Sequence, residues 1–106
     1  MVRGWERDLL ALPDELVVED PTGVAEAILR GDPRGCYPYV YRMLKDTHGL
    51  AVSVSEWEIL AARDRLMELE GVACGFAAAT TIAALKKLSE RRAVGRADVV
   101  LLNLTD

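Results

Sequence analysis

The sequence predicts a small α/β domain of the three-layer type, with a short, mostly parallel sheet of about three strands and flanking helices. Residues 97–106 contain a run of Val and Leu with almost no alternation, which is typical of a parallel strand covered on both faces. Residues 15–19 and 50–54 are two further short β-rich stretches. Helical patterns separate these stretches, and alternating strands and helices give parallel strands with right-handed crossovers. Such a small sheet is expected to keep an open edge, which is a template for pairing with another chain.

Helical spacing and capping signals predict helices at residues 5–12, 22–30, 37–47, 56–70 and 77–88. The clearest local signal is Ser55 followed three residues later by Glu58, which is the capping-box pattern. Gly49 is expected to end the third helix in a left-handed conformation. The last helix is rich in Ala, so that another backbone can approach it closely. We predict an N-terminal extension at residues 1–21 and the α/β domain at residues 22–106.

The amino-acid composition limits the classes of protein to which this chain can belong. The 106 residues are 51% hydrophobic and 28% charged, which predicts one ordinary folded domain. A net charge of -4 argues against nucleic-acid binding, and we interpret Arg91, Arg92 and Arg96 as favourable neighbours of a helix C-terminus. No stretch approaches the roughly 20 apolar residues of a membrane span, and the N-terminus lacks an apolar signal-peptide core. We therefore expect a cytoplasmic protein with neither membrane nor nucleic-acid partners.

Signatures of an autonomous active site are missing from the sequence. Cys36 and Cys74 belong to no CxxC pair, so two buried thiols are expected rather than a zinc site or a disulfide. His48 is the single histidine, which argues against a metal site or a catalytic triad. Neither cysteine has a nearby base that would make it a nucleophile. Residue chemistry alone therefore leaves the function open.

Several motifs follow one another in a fixed order. Thr22 with Ala-Glu and Ile precedes a Gly-Asp-Pro turn at residues 31–33, and residues 49–59 join a strand pattern to a V-S-E-W-E-I helix start. An E-G-V step at residues 70–72 leads to the Ala-rich helix, and residues 98–105 close with D-V-V and L-T. In this order and spacing the motifs resemble the C-terminal portion of threonine synthase and its relatives among the fold type II pyridoxal-phosphate enzymes.

This resemblance implies a lyase or synthase that acts on a small amino acid or phosphoamino acid, such as phosphohomoserine or phosphoserine. In the family, the Schiff-base Lys, an Asn loop for the substrate carboxylate and a Gly-rich phosphate loop all precede the matching region. The resemblance therefore implies pyridoxal phosphate in the complete enzyme, with no cofactor and no catalysis expected in this chain alone. Thr105 is the one matched position with a chemical role, because the hydroxyl there hydrogen-bonds the pyridine nitrogen of the cofactor.

Two departures from the family pattern fall where the cofactor ring would lie. Gly75-Phe76 replaces the usual Glu-Pro before the Ala-rich helix, and Asp106 replaces the Gly after Thr105. Lys45-Asp46 superficially resembles the catalytic F-K-D sequence, but it lies near the end of a predicted helix rather than at its start. Lys86 and Lys87 lie in a charged helix tail and are interpreted as solvated.

The expected partner is a second copy of the chain or a polypeptide that supplies the missing catalytic part. The alternative is a stand-alone, non-catalytic interaction or oligomerisation module derived from the same fold. Such a module would bind through its open sheet edge and its Ala-rich helix.

Overall fold

The structure, a computed structural model that describes residues 1–106, contains four α-helices, two 3₁₀ turns and no β-strand. The elements in chain order are α1 (Val2–Glu6), a 3₁₀ turn (Asp14–Leu16), a second 3₁₀ turn (Glu26–Ile28), α2 (Tyr37–Thr47), α3 (Glu56–Glu70) and α4 (Phe76–Glu90). No helix is both long and apolar enough to cross a membrane.

The predicted α/β class with its three-stranded sheet is wrong, because residues 15–19, 50–54 and 97–106 form no strand. A strand exists only where a neighbouring backbone accepts and donates its ladder hydrogen bonds. The extended segments here make isolated bonds instead, such as Val18 N to Gly31 O at 2.8 Å. Val99 and Leu101 are 101% and 94% exposed, so the run of apolar residues that suggested a strand buried on both faces is open to solvent at these positions.

The prediction of α2 over residues 37–47 is confirmed, but its stop is placed one residue too late. His48 takes the left-handed conformation with φ 54°, where Gly49 was expected. Gly49 still closes the helix, since its N–H donates to Leu44 O at 2.8 Å.

The capping box of α3 is confirmed at both of its hydrogen bonds. Ser55 Oγ accepts from Glu58 N at 3.2 Å, and Glu58 Oε2 accepts from Ser55 N at 2.6 Å. The helix ends, as predicted, at Gly71 with φ 66°. Helix α4 is also confirmed, and it begins one residue before and ends two residues after the predicted range 77–88.

The two N-terminal helices are predicted wrongly. The predicted helix at residues 5–12 is the short α1, and the chain turns away from it at Asp8, whose φ is 54°. The predicted helix at residues 22–30 shrinks to the 3₁₀ turn Glu26–Ile28. Gly23 explains this loss, because its φ of 157° is incompatible with a helix that begins at Thr22.

Backbone packing divides the chain into two units, each made of two stretches: the first unit comprises residues 1–22 and 29–53, and the second comprises residues 23–28 and 54–106. In the first unit Tyr37 is buried, and its hydroxyl donates to Leu9 O. A side chain at Gly4 would place its Cβ 2.9 Å from both Leu12 Cδ1 and Tyr37 Oη, so this close packing requires glycine. The boundary predicted between residues 21 and 22 stays a prediction.

The second unit contains the core that supports the candidate site. Its buried residues are Ala25, Ile59, Cys74, Ala78 and Ala79. Val24, Val54, Leu66 and Phe76 pack against them. Three buried side chains of α4 are Ala. The expectation that another backbone approaches this helix closely stays a prediction.

Candidate functional site

The C-terminal segment meets the start of α4 in the second unit. Asp106 O accepts from Gly75 N at 3.1 Å, and Asp106 Oδ1 accepts from Ala78 N at 2.7 Å. An N-cap side chain normally bonds the N–H two or three residues into its helix. Gly75 occupies the N-cap position and has no side chain, so the carboxylate of Asp106 satisfies that N–H instead. Its negative charge also suits the positive end of the helix dipole.

The two departures from the family pattern are therefore in direct contact. A Cβ added to Gly75 would lie 2.7 Å from Asp106 Cγ and 3.2 Å from Asp106 Oδ1. The first of these distances is too short for any side chain at position 75 without movement of Asp106. The resemblance placed both positions near the cofactor ring, but it did not indicate that they contact each other.

Thr105 lies immediately before this contact. Its side chain is exposed, and its hydroxyl makes no hydrogen bond within the chain. The hydroxyl is therefore free to bond a partner from outside these residues. Its assignment as a cofactor contact stays a prediction.

Lys45 belongs to a cluster of polar and aromatic side chains in the first unit. Its Nζ lies 2.7 Å from Asp8 Oδ1, 5.2 Å from the centroid of the Trp5 ring and 5.4 Å from that of Tyr41. The hydrogen bond with Asp8 raises the pKa of Lys45 by stabilising the ammonium form. A Schiff-base lysine must lose its proton before it attacks, so this environment favours a structural role.

The other two lysines also lie near carboxylates. Lys86 Nζ is 3.9 Å from Glu90 Oε1, and Lys87 Nζ is 3.3 Å from Glu58 Oε2. The Lys87 pair links α4 to the capping box of α3. The interpretation of Lys87 as a solvated helix tail therefore misses this contact.

Arg63 is a second residue whose role the sequence did not indicate. Its Nε donates to Cys74 O at 2.9 Å, and its guanidinium lies 4.6 Å from the centroid of the Phe76 ring. Arg63 thereby fixes the segment that leads into α4. A lone Arg on a charged helix carries no pattern that would have singled it out.

The cysteines and the histidine show no catalytic arrangement. Cys74 is buried in the core, whereas Cys36 is exposed, so the expectation of two buried thiols is wrong for Cys36. The cause is its place just before α2, where Sγ donates to Pro33 O at 3.4 Å. His48 serves as the left-handed C-cap of α2. No group of three His, Cys, Asp or Glu side chains is arranged to hold a metal ion.

These residues do not by themselves fit pyridoxal phosphate. The cofactor needs an amine that can lose its proton and a set of N–H groups for its phosphate. Asp8 stabilises the ammonium form of Lys45, and the Ala78 N–H at the start of α4 is already bonded to Asp106. Thr105 is the one matched side chain that is free to contact the cofactor.

Comparison with known proteins decides the family. The sequence profile described as "Pyridoxal-phosphate dependent enzyme" matches residues 15–106. The chain belongs to this family. No solved structure matches the chain with comparable significance.

Two threonine synthases are similar to this pyridoxal-phosphate family member, which confirms the resemblance found in its motifs. That of Methanosarcina acetivorans is 36% identical over 83 residues, which are 78% of this chain and 20% of that protein. That of Halalkalibacterium halodurans is 30% identical over 105 residues, which are 98% of this chain and 29% of that protein. The chain thus spans less than a third of the length of either relative.

Proposed function

We propose that these residues form the supporting C-terminal part of a threonine synthase-like, pyridoxal-phosphate-dependent enzyme and are not catalytic alone. One observation carries the proposal: the family match covers residues 15–106, yet the chain spans less than a third of either similar threonine synthase, and the resemblance matches none of its lysines to the Schiff-base position. The Schiff-base Lys and the phosphate loop then belong to a different stretch of polypeptide. That stretch is either a separate chain or another part of a longer one.

Thr105 is the residue that this part contributes to the cofactor site. Its hydroxyl has no partner within the chain, and the resemblance assigns that position to the pyridine nitrogen. A hydroxyl is a neutral partner and leaves the nitrogen largely unprotonated. Bound pyridoxal phosphate would supply the electron sink for a carbanion of the substrate amino acid.

The substrate proposed for the assembled enzyme is a small amino acid or phosphoamino acid, and the reaction is of the lyase or synthase class. The support comes from the two similar proteins, which are named threonine synthases. We place the protein in the cytoplasm, because its two cysteines are free thiols and a reducing compartment keeps them so.

Reconstitution tests the proposal. A polypeptide that carries the catalytic Lys, the Asn loop and the Gly-rich loop should co-purify with this chain and give a competent site. Thr105→Val should then lower turnover without weakening assembly, because it removes one hydrogen bond to the ring and changes the shape of the side chain little. Thr105→Ser keeps the hydroxyl and should retain turnover. Equal turnover for Thr105→Val and the unchanged chain would remove Thr105 from the site.

A second candidate is a non-catalytic interaction module, favoured by the apolar surface of the second unit. Val99, Leu101 and Trp57 are exposed there. An open groove of about 1070 Å³ runs along α3 and α4, with Ile82 and Leu85 among its lining residues. If no catalytic polypeptide co-purifies while the chain associates with itself, this candidate replaces the first.

A further inference from the structure

We infer that Asp106 is a positioning residue for Thr105, and that Gly75 is the complementary residue that makes room for it. The two positions act as a pair, in which the C-terminal segment supplies the capping group that the Gly75 N-cap lacks. The chemical role of Thr105 rests on the proposed function. The pairing of Gly75 with Asp106 does not.

Asp106 is held at two points on the first turn of α4. Its backbone O accepts from Gly75 N, and its side-chain Oδ1 accepts from Ala78 N. Two bonds to N–H groups three residues apart fix both the path of the main chain and the direction of the carboxylate. Thr105 is the adjacent residue, so these two hydrogen bonds limit its conformational freedom.

The rest of the segment offers no other hydrogen bond close to Thr105. Asp98 closes a turn, with Asp98 N donating to Gly95 O at 3.1 Å and Gly95 N donating to Asp98 Oδ2 at 2.7 Å. Residues 99–105 make no hydrogen bond to any other part of the chain. The two bonds of Asp106 are therefore the hydrogen bonds nearest to Thr105 in this segment.

Gly75 is required by space rather than by conformation. Its φ of -72° is ordinary for any residue, so backbone strain does not demand glycine. The demand comes from Asp106, whose Cγ would lie 2.7 Å from a Cβ at position 75. A side chain at position 75 therefore forces the Asp106 carboxylate away from its capping position, and the effects of changing the two positions should not add.

A double-mutant cycle followed by thermal denaturation tests the pairing. Gly75→Ala should lower the melting temperature of the unchanged chain, because it displaces Asp106 and removes the cap. The same change in an Asp106→Gly background should lower the melting temperature by less, since Ala there meets no clash and displaces no cap. Asp106→Gly alone should lower it by about 4–8 °C, the usual size for a lost cap in a small domain. Purely additive shifts would overturn the inference.

A second measurement separates positioning from plain stability. Asp106→Gly should increase the nanosecond mobility of the Thr105 amide in ¹⁵N relaxation, while the amides in the middle of α3 keep their order parameters. Asp106→Asn retains a side-chain oxygen that can accept from Ala78 N, so it should restore the order of Thr105. Unchanged order at Thr105 in Asp106→Gly would overturn the positioning role.

The two proposals fail in different ways. If reconstitution gives no cofactor site, the cycle and the relaxation results still decide the pairing. If reconstitution succeeds, Asp106→Gly should reduce turnover and Asp106→Asn should retain it. Full turnover in Asp106→Gly would show that Asp106 is not a positioning residue, but it would not contradict the role of Thr105 in the site.

Discussion

At the scale of single residues, Asp8 connects the turn after α1 to α2 through its carboxylate. Asp8 Oδ1 accepts from Tyr41 Oη at 2.8 Å and from Lys45 Nζ at 2.7 Å. The hydrogen bond from Lys45 is the main cause that holds the pKa of Asp8 below its ordinary value. Trp5 lies edge-on to Tyr41, with ring centroids 5.8 Å apart, so Lys45 is part of a packed contact between α1 and α2.

This contact predicts that Lys45 forms no stoichiometric Schiff base with pyridoxal phosphate. The ammonium form is stabilised by Asp8, and the neutral amine that would attack an aldehyde is disfavoured. Borohydride trapping followed by peptide mapping is the measurement. A single, fully modified Lys45 would contradict the structural role. Asp8→Asn is the matched variant, since it weakens the hold on the ammonium and should raise the trapped fraction.

At the scale of helices, the capping box of α3 predicts a loss of about 1 kcal/mol of stability for Ser55→Ala. The substitution removes the acceptor of the Glu58 N–H and leaves the rest of the helix intact. Chemical denaturation measures the loss. Ser89→Ala is the control, because it makes the same chemical change inside α4, where no side-chain bond of Ser89 is lost. Equal effects at the two positions would mean that the box does not stabilise α3.

The same box predicts a dependence of stability on pH. The Glu58 carboxylate accepts from the Ser55 backbone N–H, and this bond, helped by Lys87, lowers the pKa of Glu58 below its ordinary value of 4.5. A lowered folded pKa means that the stabilisation is present above pH 4.5 and is lost as the pH falls through the folded value. Glu58→Gln keeps an acceptor without a titrating group, so its stability should change less between pH 5 and pH 3. An identical pH profile for this variant would contradict the prediction.

How far the sequence could predict the structure depends on how local each signal is. Both ends of helix α3 are determined by residues at those ends: Ser55 and Glu58 form the capping box at the start, and Gly71 is the C-cap. The segment at residues 97–106 is different, because its Val and Leu residues favour a strand but a strand depends on a partner that no local pattern supplies. The candidate site shows the same difference between local and long-range signals. Thr105 and Asp106 could be singled out from motifs, whereas the contact of Asp106 with Gly75 joins positions far apart in the chain.

At the scale of the whole molecule, the exposed apolar segment predicts association. Val99 and Leu101 are almost completely exposed, and exposed apolar groups that lie together mark interaction surfaces. We expect sedimentation to show a dimer or a larger species at micromolar concentration. Val99→Asp with Leu101→Asp should shift the population toward monomer, because charged side chains oppose burial of this segment.

The control for association lies in the first unit. Tyr39 is also exposed, and Tyr39→Ser removes apolar surface outside the segment. It should leave the sedimentation unchanged. A strict monomer for the unmodified chain over the same range would contradict association through residues 99–101.

The order of the two units along the chain restricts where the polypeptide can be cut. Residues 23–28 belong to the second unit, although residues 29–53 of the first unit separate them from the rest of it. A polypeptide that starts at residue 54 would lose Val24 and Ala25 from the core, together with the bond from Val24 N to Glu56 Oε1 at 3.0 Å. Neither unit is therefore a contiguous module that could be excised or grafted by a single cut. In a deletion series, the stability of the second unit should fall steeply once the shortened N-terminus passes residue 23, well before it reaches α3.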